Sequence, residues 1–234
     1  MFRPHYPLEW VDYEVDIVRK IEKAGVRAPK VEEIVDIDGR RGIVYERING
    51  PSMADAIEQN PLRAALYARL LAKMHIELHR ISGQELPSFR QQMVQSIQEA
   101  VVLSEPQRQR ALQKAEQLPD GDRLCHGDFH LSNIILTPDG PVVIDWFCAG
   151  KGHPAADMTR TYIILSRCGA PPPGMPRWQV WLGRMILSRS YLNYYRNQSP
   201  GTARLLNTFL PVVAAAKLND NIMPEQLEIK KLVK

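Results

Sequence analysis

Cys125-His126-Gly127-Asp128-Phe129-His130-Leu131-Ser132-Asn133 is the densest set of polar groups beside β-forming residues in this 234-residue chain. Twelve residues after Asn133, the run Val142-Val143-Ile144 delivers Asp145, followed by Trp146. An Asp directly after three β-branched residues is expected at the end of a buried strand. A carboxylate there is unfavourable unless a cation balances it, and a divalent metal ion is the usual partner of such hard oxygen donors. Thr137-Pro138-Asp139-Gly140 carries turn residues and joins the two runs into an expected hairpin, Asn133–Leu136 with Val142–Asp145.

Upstream, Leu8, Val11, Val15, Val18 and Ile21 recur at spacings of three and four, one helix face that Gly25 closes. Two β-rich runs follow, Lys30–Val35 and Gly42–Ile48, around an Asp38-Gly39 hairpin signal. Asn49-Gly50-Pro51 then breaks the chain. Pro61 opens a helix to about Ile81, with Leu62, Leu66, Leu70, Met74 and Leu78 expected in one stripe. Helices are also expected over Ser88–Leu103, Pro106–Gln117, from Pro154, over Arg177–Arg196 and Thr202–Lys217, and after Pro224; Gly169–Pro176 reads as a loop. Trp178 and Trp181, with Leu182, Met185 and Ile186 following, are expected in the helix core.

Composition bounds the function classes. Hydrophobic residues at 44% and charged residues at 24% fit a globular chain with a sizeable core. A formal charge of +4 is too weak to argue for nucleic acid. Cys125, Cys148 and Cys168 are odd in number with no CxxC pair, which reads as reduced thiols. No segment reaches the ~18 apolar residues of a membrane span. With no apolar leader after Met1, a cytoplasmic location is expected. The oligomeric state is open.

The spacing of the central run is that of a phosphoryl-transfer loop, H-x-D, four residues, then N. Asp128 can then accept the proton of an attacking hydroxyl, while Asn133 and Asp145 supply oxygens for Mg²⁺ beside a nucleotide's phosphates. With Gly127 after His126, and His130 and Trp146 in place, the chain resembles the aminoglycoside phosphotransferase and choline kinase family, whose pattern is H-G-D-x-H-x-x-N followed by an apolar strand and I-D-W. Gly150-Lys151-Gly152-His153-Pro154-Ala155-Ala156-Asp157 is similar to the segment that follows in that family, as are Leu70-Leu71-Ala72-Lys73-Met74-His75 to its preceding helix and Val44-Tyr45-Glu46-Arg47-Ile48-Asn49-Gly50 to its adenine hinge.

The resemblance implies an α+β, protein-kinase-like two-lobed fold. Residues 1–50 would be a truncated small N-lobe, and residues 51–234 a mainly helical C-lobe bearing the catalytic loop and metal hairpin. It implies ATP or GTP with Mg²⁺, a small-molecule hydroxyl acceptor, and neither nucleic acid nor membrane as partner. Asp128 would be catalytic. Glu46, Arg47 and Ile48 would hold the base, and Asn133 and Asp145 the metal and phosphates. Glu14, His126, His130 and Asp157 would support, with Asp157 anchoring the catalytic loop. The family also places a phosphate-covering loop and a lysine strand before the Glu14 helix, and no Lys stands between Met1 and Glu14. A late-assigned start, a shortened chain or a partner that supplies the strands would each account for this. A catalytically impaired binding or regulatory relative is therefore the second expectation.

Two rivals use the same residues. His126, Asp128 and His130 form H-x-D-x-H, which with His153 could present transition-metal ligands. A Cys125–His126 nucleophile pair fails because strand neighbours face opposite ways, leaving Cys125 a buried small hydrophobe. For the acceptor, Thr159–Asp220 holds eight basic residues (Arg160, Arg167, Arg177, Arg184, Arg189, Arg196, Arg204 and Lys217) against Asp220 alone. That segment is 8 − 1 = +7 while the chain is +4, so the remainder is −3. A polycationic acceptor would find few carboxylates there, so a neutral or anionic one is expected.

Overall fold

The computed structural model describes residues 8–37, 40–169, 174–220 and 222–233. The elements run α1 (Leu8–Lys23), β1 (Val31–Ile37), β2 (Arg40–Tyr45), α2 (Met53–Gln59), α3 (Ala64–Leu78), α4 (Phe89–Glu99) and α5 (Glu105–Gln117). Then come β3 (Arg123–Cys125), β4 (Ile134–Thr137), β5 (Gly140–Val143) and β6 (Gly150–Gly152). The chain finishes with α6 (Pro154–Arg167), α7 (Arg177–Gln198), α8 (Pro200–Arg204), α9 (Leu206–Lys217) and α10 (Met223–Lys230).

Three antiparallel pairs make up the β-structure: β1 with β2, β3 with β6, and β4 with β5. The expected first hairpin forms with Ile37 opposite Arg40; its Asp38-Gly39 turn lies outside the described residues. The expected central hairpin also forms, shifted by a residue or two, with Ile134 opposite Val143. Strand β6, a Gly-Lys-Gly segment without β-forming residues, is not legible in the sequence; it pairs because Cys125 sits opposite Gly150 and a Cβ on Gly152 would meet the Phe89 side chain at 2.8 Å.

Two apolar clusters fill the interior. One joins Ile17, Val18 and Ile21 of α1 to Leu71 of α3, to Phe129 and Trp146 around the central loops, and to Tyr191 and Tyr195 of α7. The other joins Phe89, Met93 and Ile97 of α4 to Ala155 and Ile163 of α6 and to Phe209 and Val212 of α9. The helix starts follow local chemistry. Ser88 caps α4 by accepting from the Gln91 amide, and Ser104 and Gln107 form a capping box at α5.

Helix α3 keeps the later part of the expected stripe, with Leu78 buried and Leu70 and Met74 packed partly buried against the core, and corrects its start. Leu62 is 96% and Leu66 59% exposed, whereas Ala68, Leu71, Ala72 and His75 are fully buried. Residues four apart drift about 40° around a helix per step, so a long i+4 row leaves the buried face. The true face alternates steps of three and four and ends on two histidines, His75 and His79. Trp178 and Trp181 are likewise not core: they are 63% and 64% exposed. The buried residues of α7 are Ser188, Tyr191, Leu192 and Tyr195, so its C-terminal half packs inward and its first turns project outward. The expected helix Thr202–Lys217 is interrupted at Leu205, giving α8 and α9.

The corrected face predicts a contrast in stability. Leu71→Ala should cost about 2–5 kcal/mol in urea unfolding, and Leu62→Ala less than about 0.5 kcal/mol.

Candidate functional site

The loop between β3 and β4 is held from behind by one carboxylate. Asp157, on the first turn of α6, is fully buried and accepts the amides of His126 at 2.6 Å and Gly127 at 3.0 Å. Its Oδ2 also receives His75 Nε2 at 2.9 Å and His79 Nε2 at 3.2 Å. The hydroxyls of Tyr191 and Tyr195 face the Nδ1 atoms of the same two rings. Burial works to protonate Asp157, yet His75 and His79 beside it hold it well below the usual carboxylate range. Burial, with His79 nearby, lowers His75 to about 4, so His75 is neutral and donates from Nε2. The expected anchor role of Asp157 thus has four donors behind it. His75, His79 and Asp157 are close enough together to hold an ion among the described residues, but these ligand atoms already serve the loop.

His126 turns the loop toward the hairpin. Its Nδ1 accepts the Asp128 amide at 3.2 Å, and its Nε2 donates to the Ile144 carbonyl at 3.1 Å, one residue before Asp145. Burial lowers its pKa, consistent with a neutral ring. The Ile144 amide donates to the Asn133 carbonyl at 2.9 Å. Asn133 is buried and gives Nδ2 to the Asp128 carbonyl at 2.9 Å. Asp128, Asn133 and Asp145 are therefore tied into one cluster by backbone and ring bonds. Gly127 makes the tie possible: its φ is +81°, and a Cβ there would sit 2.4 Å from the Cys148 carbonyl oxygen.

Each side chain is then presented differently. His130 Nδ1 accepts the Ser132 amide, so its Nε2 donates to Asp128 Oδ2 at 3.2 Å. Burial pushes Asp128 upward, but the His130 bond and the charges of Arg160 and Lys217 outweigh it and keep the carboxylate ionised. Asp145 differs from expectation: it is exposed, not buried, and has a left-handed φ of 64°. Burial therefore does not force a cation onto it; the strained backbone aims it out of the hairpin's end instead. No protein group hydrogen-bonds its carboxylate among the described residues.

The other assigned residues spread around this centre. Tyr45 donates its hydroxyl to Glu14 at 2.8 Å, and burial, with Asp145 adding to it, raises the Glu14 pKa. Glu46, Arg47 and Ile48 form an extended segment after β2, with the Glu46 amide on the Lys30 carbonyl at 2.8 Å. That segment continues over the central hairpin: the Leu136 amide donates to Pro51 at 2.9 Å, and a Cβ on Gly50 would overlap the Leu136 carbonyl oxygen at 2.1 Å. His153 does not join His126 and His130. It caps α6 through the Ala155 amide and stacks on Phe209, which removes the fourth ligand of the transition-metal rival. Cys125 is fully buried, as expected.

A cleft of about 620 Å³ opens beside the loop, lined by Gly127, Phe147 and Cys148, by Trp10 and Tyr13 of α1, and by Gln91, Gln92 and Gln95 of α4. Of the eight basic residues counted above, Arg160 alone lines it; Lys217 sits behind it on Asp220. Arg167, Arg177, Arg184 and Arg189 line a separate groove of about 820 Å³ with Trp178 and Trp181. The +7 tally therefore does not describe the cleft. Sequence reasoning does not single out the α4 glutamines or Arg160; the available signal for Arg160 is its place three residues after Asp157 on the same helix.

Residues 1–177 match the model of the phosphotransferase enzyme family. No curated protein matches by sequence. Among solved structures, a thermostable mutant of aminoglycoside phosphotransferase APH(4)-Ia, in ternary complex with ADP and hygromycin B, aligns with a TM-score of 0.64 at 17% identity, over 95% of this chain and 81% of that one. ADP-bound APH(2'')-Ib aligns at 0.55 and 16% identity, over 97% and 81%. APH(3'')-Id from Streptomyces rimosus, with ADP and streptomycin, aligns at 0.53 and 20% identity, over 89% and 85%. The shared fold is the protein-kinase-like one, with a small N-lobe and a helical C-lobe. No helix among the described residues is long and apolar enough to cross a membrane.

Two outcomes test this geometry. Gly127→Ala should lose about 2 kcal/mol or more of stability in urea unfolding, because neither the φ nor the Cys148 carbonyl accommodates a Cβ. Folded His75 titrates near 4 and its unfolded counterpart near 6.5. Between those values the unfolded chain binds more protons, so stability falls as pH falls. The loss from pH 7 to 4.5 should be on the order of 2 kcal/mol from this group, read as a drop in the urea midpoint.

Proposed function

This chain belongs to the phosphotransferase enzyme family, and we propose that it transfers the γ-phosphate of ATP or GTP to a hydroxyl of a small molecule. The observation that carries the proposal is the tie between Asp128, Asn133 and Asp145: a base and two oxygen donors fixed together by backbone and ring bonds, on a loop whose Gly127 lines the cleft. On this reading residues 1–50, ending at the Asn49-Gly50-Pro51 break, form the smaller lobe and residues 51–234 the catalytic lobe. Glu46, Arg47 and Ile48 form the base-holding hinge where the chain passes from one to the other.

The donor set fits a divalent ion. Asn133 spends its Nδ2 on the loop, leaving Oδ1 available, and Asp145 presents an exposed carboxylate with no protein partner among the described residues. Both are hard oxygens of the kind Mg²⁺ takes. When bound there, the ion would neutralise phosphate charge.

The chain's own residues do the rest. Asp128, ionised and held by His130, takes the proton of the acceptor hydroxyl as its oxygen bonds to the γ-phosphorus. The bond from that phosphorus to the β–γ bridging oxygen breaks, and the nucleoside diphosphate leaves. A carboxylate with so low a pKa is a weak base. That suits a loose transition state, in which little proton transfer is needed before the phosphoryl group moves. Positioning therefore outweighs basicity: Asp157 fixes the loop, His130 fixes the carboxylate, and the α4 amides face the acceptor.

The test is phosphotransfer to a hydroxyl-compound panel with Mg·ATP, followed as nucleoside diphosphate release. Asp128→Asn should lower kcat by about 10²–10⁴-fold while nucleotide still raises Tm. Asp145→Ala should remove the Mg²⁺-dependent part of that Tm shift. Nucleotide stabilisation of the wild type without turnover of any acceptor would support the non-catalytic alternative.

A further inference from the structure

The face of α7 that builds the core continues past the point where the core ends. Trp178, Trp181, Met185, Ser188, Leu192 and Tyr195 follow one another at steps of three, four, three, four and three. That is the spacing of a seam that packs against another helix. Its inner half is filled: Ser188, Leu192 and Tyr195 are buried, and the hydroxyls of Tyr191 and Tyr195 meet His75 and His79 of α3. Its outer half is uncovered among the described residues. Trp178, Trp181 and Met185 line the open groove of about 820 Å³, with both indoles exposed. From Trp178 to Ser188 the open seam runs about 15 Å along the axis, the length of roughly three helical turns.

The flanks of this seam are cationic. Arg177 and Arg184 stand directly before Trp178 and Met185, and Arg189 directly after Ser188. In a helix pair those flanking positions carry the charges that choose the partner. With Arg167, the groove holds four arginines against two glutamates, Glu225 and Glu228, a surplus of two positive charges. Both glutamates are engaged. Glu225 accepts the Gly169 amide at 2.8 Å, and Glu228 pairs with Arg167 at 3.7 Å and with Lys231. Arg184 gives Nη2 to the Gly169 carbonyl at 2.7 Å, an uncharged acceptor. Arg177 and Arg189 have no ion-pair partner among the described residues.

We propose that this groove docks an acidic amphipathic helix of another protein, about three turns long. Its apolar face would lie on Trp178, Trp181 and Met185, and its carboxylates would face Arg177, Arg184 and Arg189. The inference stands apart from the phosphotransferase reading. Helix-in-groove recognition uses apolar anchors at this spacing, and tryptophan, methionine and arginine are enriched at protein interfaces. A second copy of this chain does not fit the same face. A two-fold pairing would set the arginines of each copy against those of the other, and like charges brought together are costly.

The test is fluorescence anisotropy with the full chain and a labelled two-heptad peptide, stapled on its outer face to hold it helical. The peptide has Leu at the two seam positions of each heptad and Glu at the flanking ones; its control has Lys in place of Glu. The Glu peptide should bind about tenfold or more tightly than the Lys peptide, and more weakly as salt is raised. Trp181→Ala should weaken it about tenfold or more. Arg177→Glu combined with Arg189→Glu should reverse the preference toward the Lys peptide, and Arg204→Gln, outside the groove, should leave it unchanged. Cooperative thermal unfolding of each variant shows that it is folded. Equal binding of the two peptides, binding of neither, or a preference that survives the double charge reversal overturns the proposal. So does tighter binding of oligothymidylate or of phosphatidylglycerol vesicles that Trp181→Ala abolishes, which assigns the groove to nucleic acid or to lipid. A dimer in sedimentation that Trp181→Ala dissolves overturns it in favour of a second copy.

Discussion

A single carboxylate with no contact to solvent holds this molecule's working parts in register. Asp157 sits where an ionised group is strongly disfavoured, and four donors make its burial tolerable: two loop amides and two histidine nitrogens. Its four donors come from α3 and from the loop after β3, while α7 supports it through Tyr191 and Tyr195. Such a buried cluster stabilises little in itself, because desolvation offsets most of the attraction. Its value is specificity. The amides of His126 and Gly127 satisfy Asp157 in one loop conformation, and that conformation is the one that presents Asp128.

The same economy recurs on the other side of the loop. His126 spends one ring nitrogen on the Asp128 amide and the other on the Ile144 carbonyl, so one imidazole sets the spacing between the loop and the end of the central hairpin. Trp146 packs on that imidazole at 4.5 Å and gives its indole N–H to the Val143 carbonyl, which closes the hairpin's end. The extended segment after β2 is pinned to the opposite end of the hairpin through Pro51 and Gly50. A short two-stranded element therefore stands between the proposed hinge and the proposed metal donors.

Much of this arrangement is legible in the amino-acid sequence. The interval from Asp128 to Asn133, the apolar run into Asp145 and the two hairpin turns are local signals, and local signals survive because the backbone bonds that make a hairpin or a tight loop lie within a few residues. The helices follow from periodicity for the same reason. The departures share one cause too. Spacing within a segment gives Leu62 and Leu66, Trp178 and Trp181, and the eight basic residues a side, but which face of a helix meets the core depends on what packs against it. In α3 the buried face includes two histidines that hydropathy would place outside. In α7 only the C-terminal half has a partner, so two tryptophans stand in water.

The sequence by itself determined the kinds of group available and their order: a carboxylate proposed as the base, two proposed oxygen donors, a glycine able to take a left-handed turn, and helices to carry them. Tertiary structure decided which of those groups share a space. Asp157 and His75 are 82 residues apart, and Arg160 and Asp220 are 60 apart. No pattern along the chain encodes a meeting over such distances; it arises only when α3, α6, α7 and α9 bury their apolar faces together. The charge of the cleft is settled at that same step. Folding brings one arginine of the eight basic residues to the cleft, among Glu9, Glu99 and Asp220, and leaves the other seven off its lining; the energy of a charge depends on what surrounds it and not on where it falls in the chain.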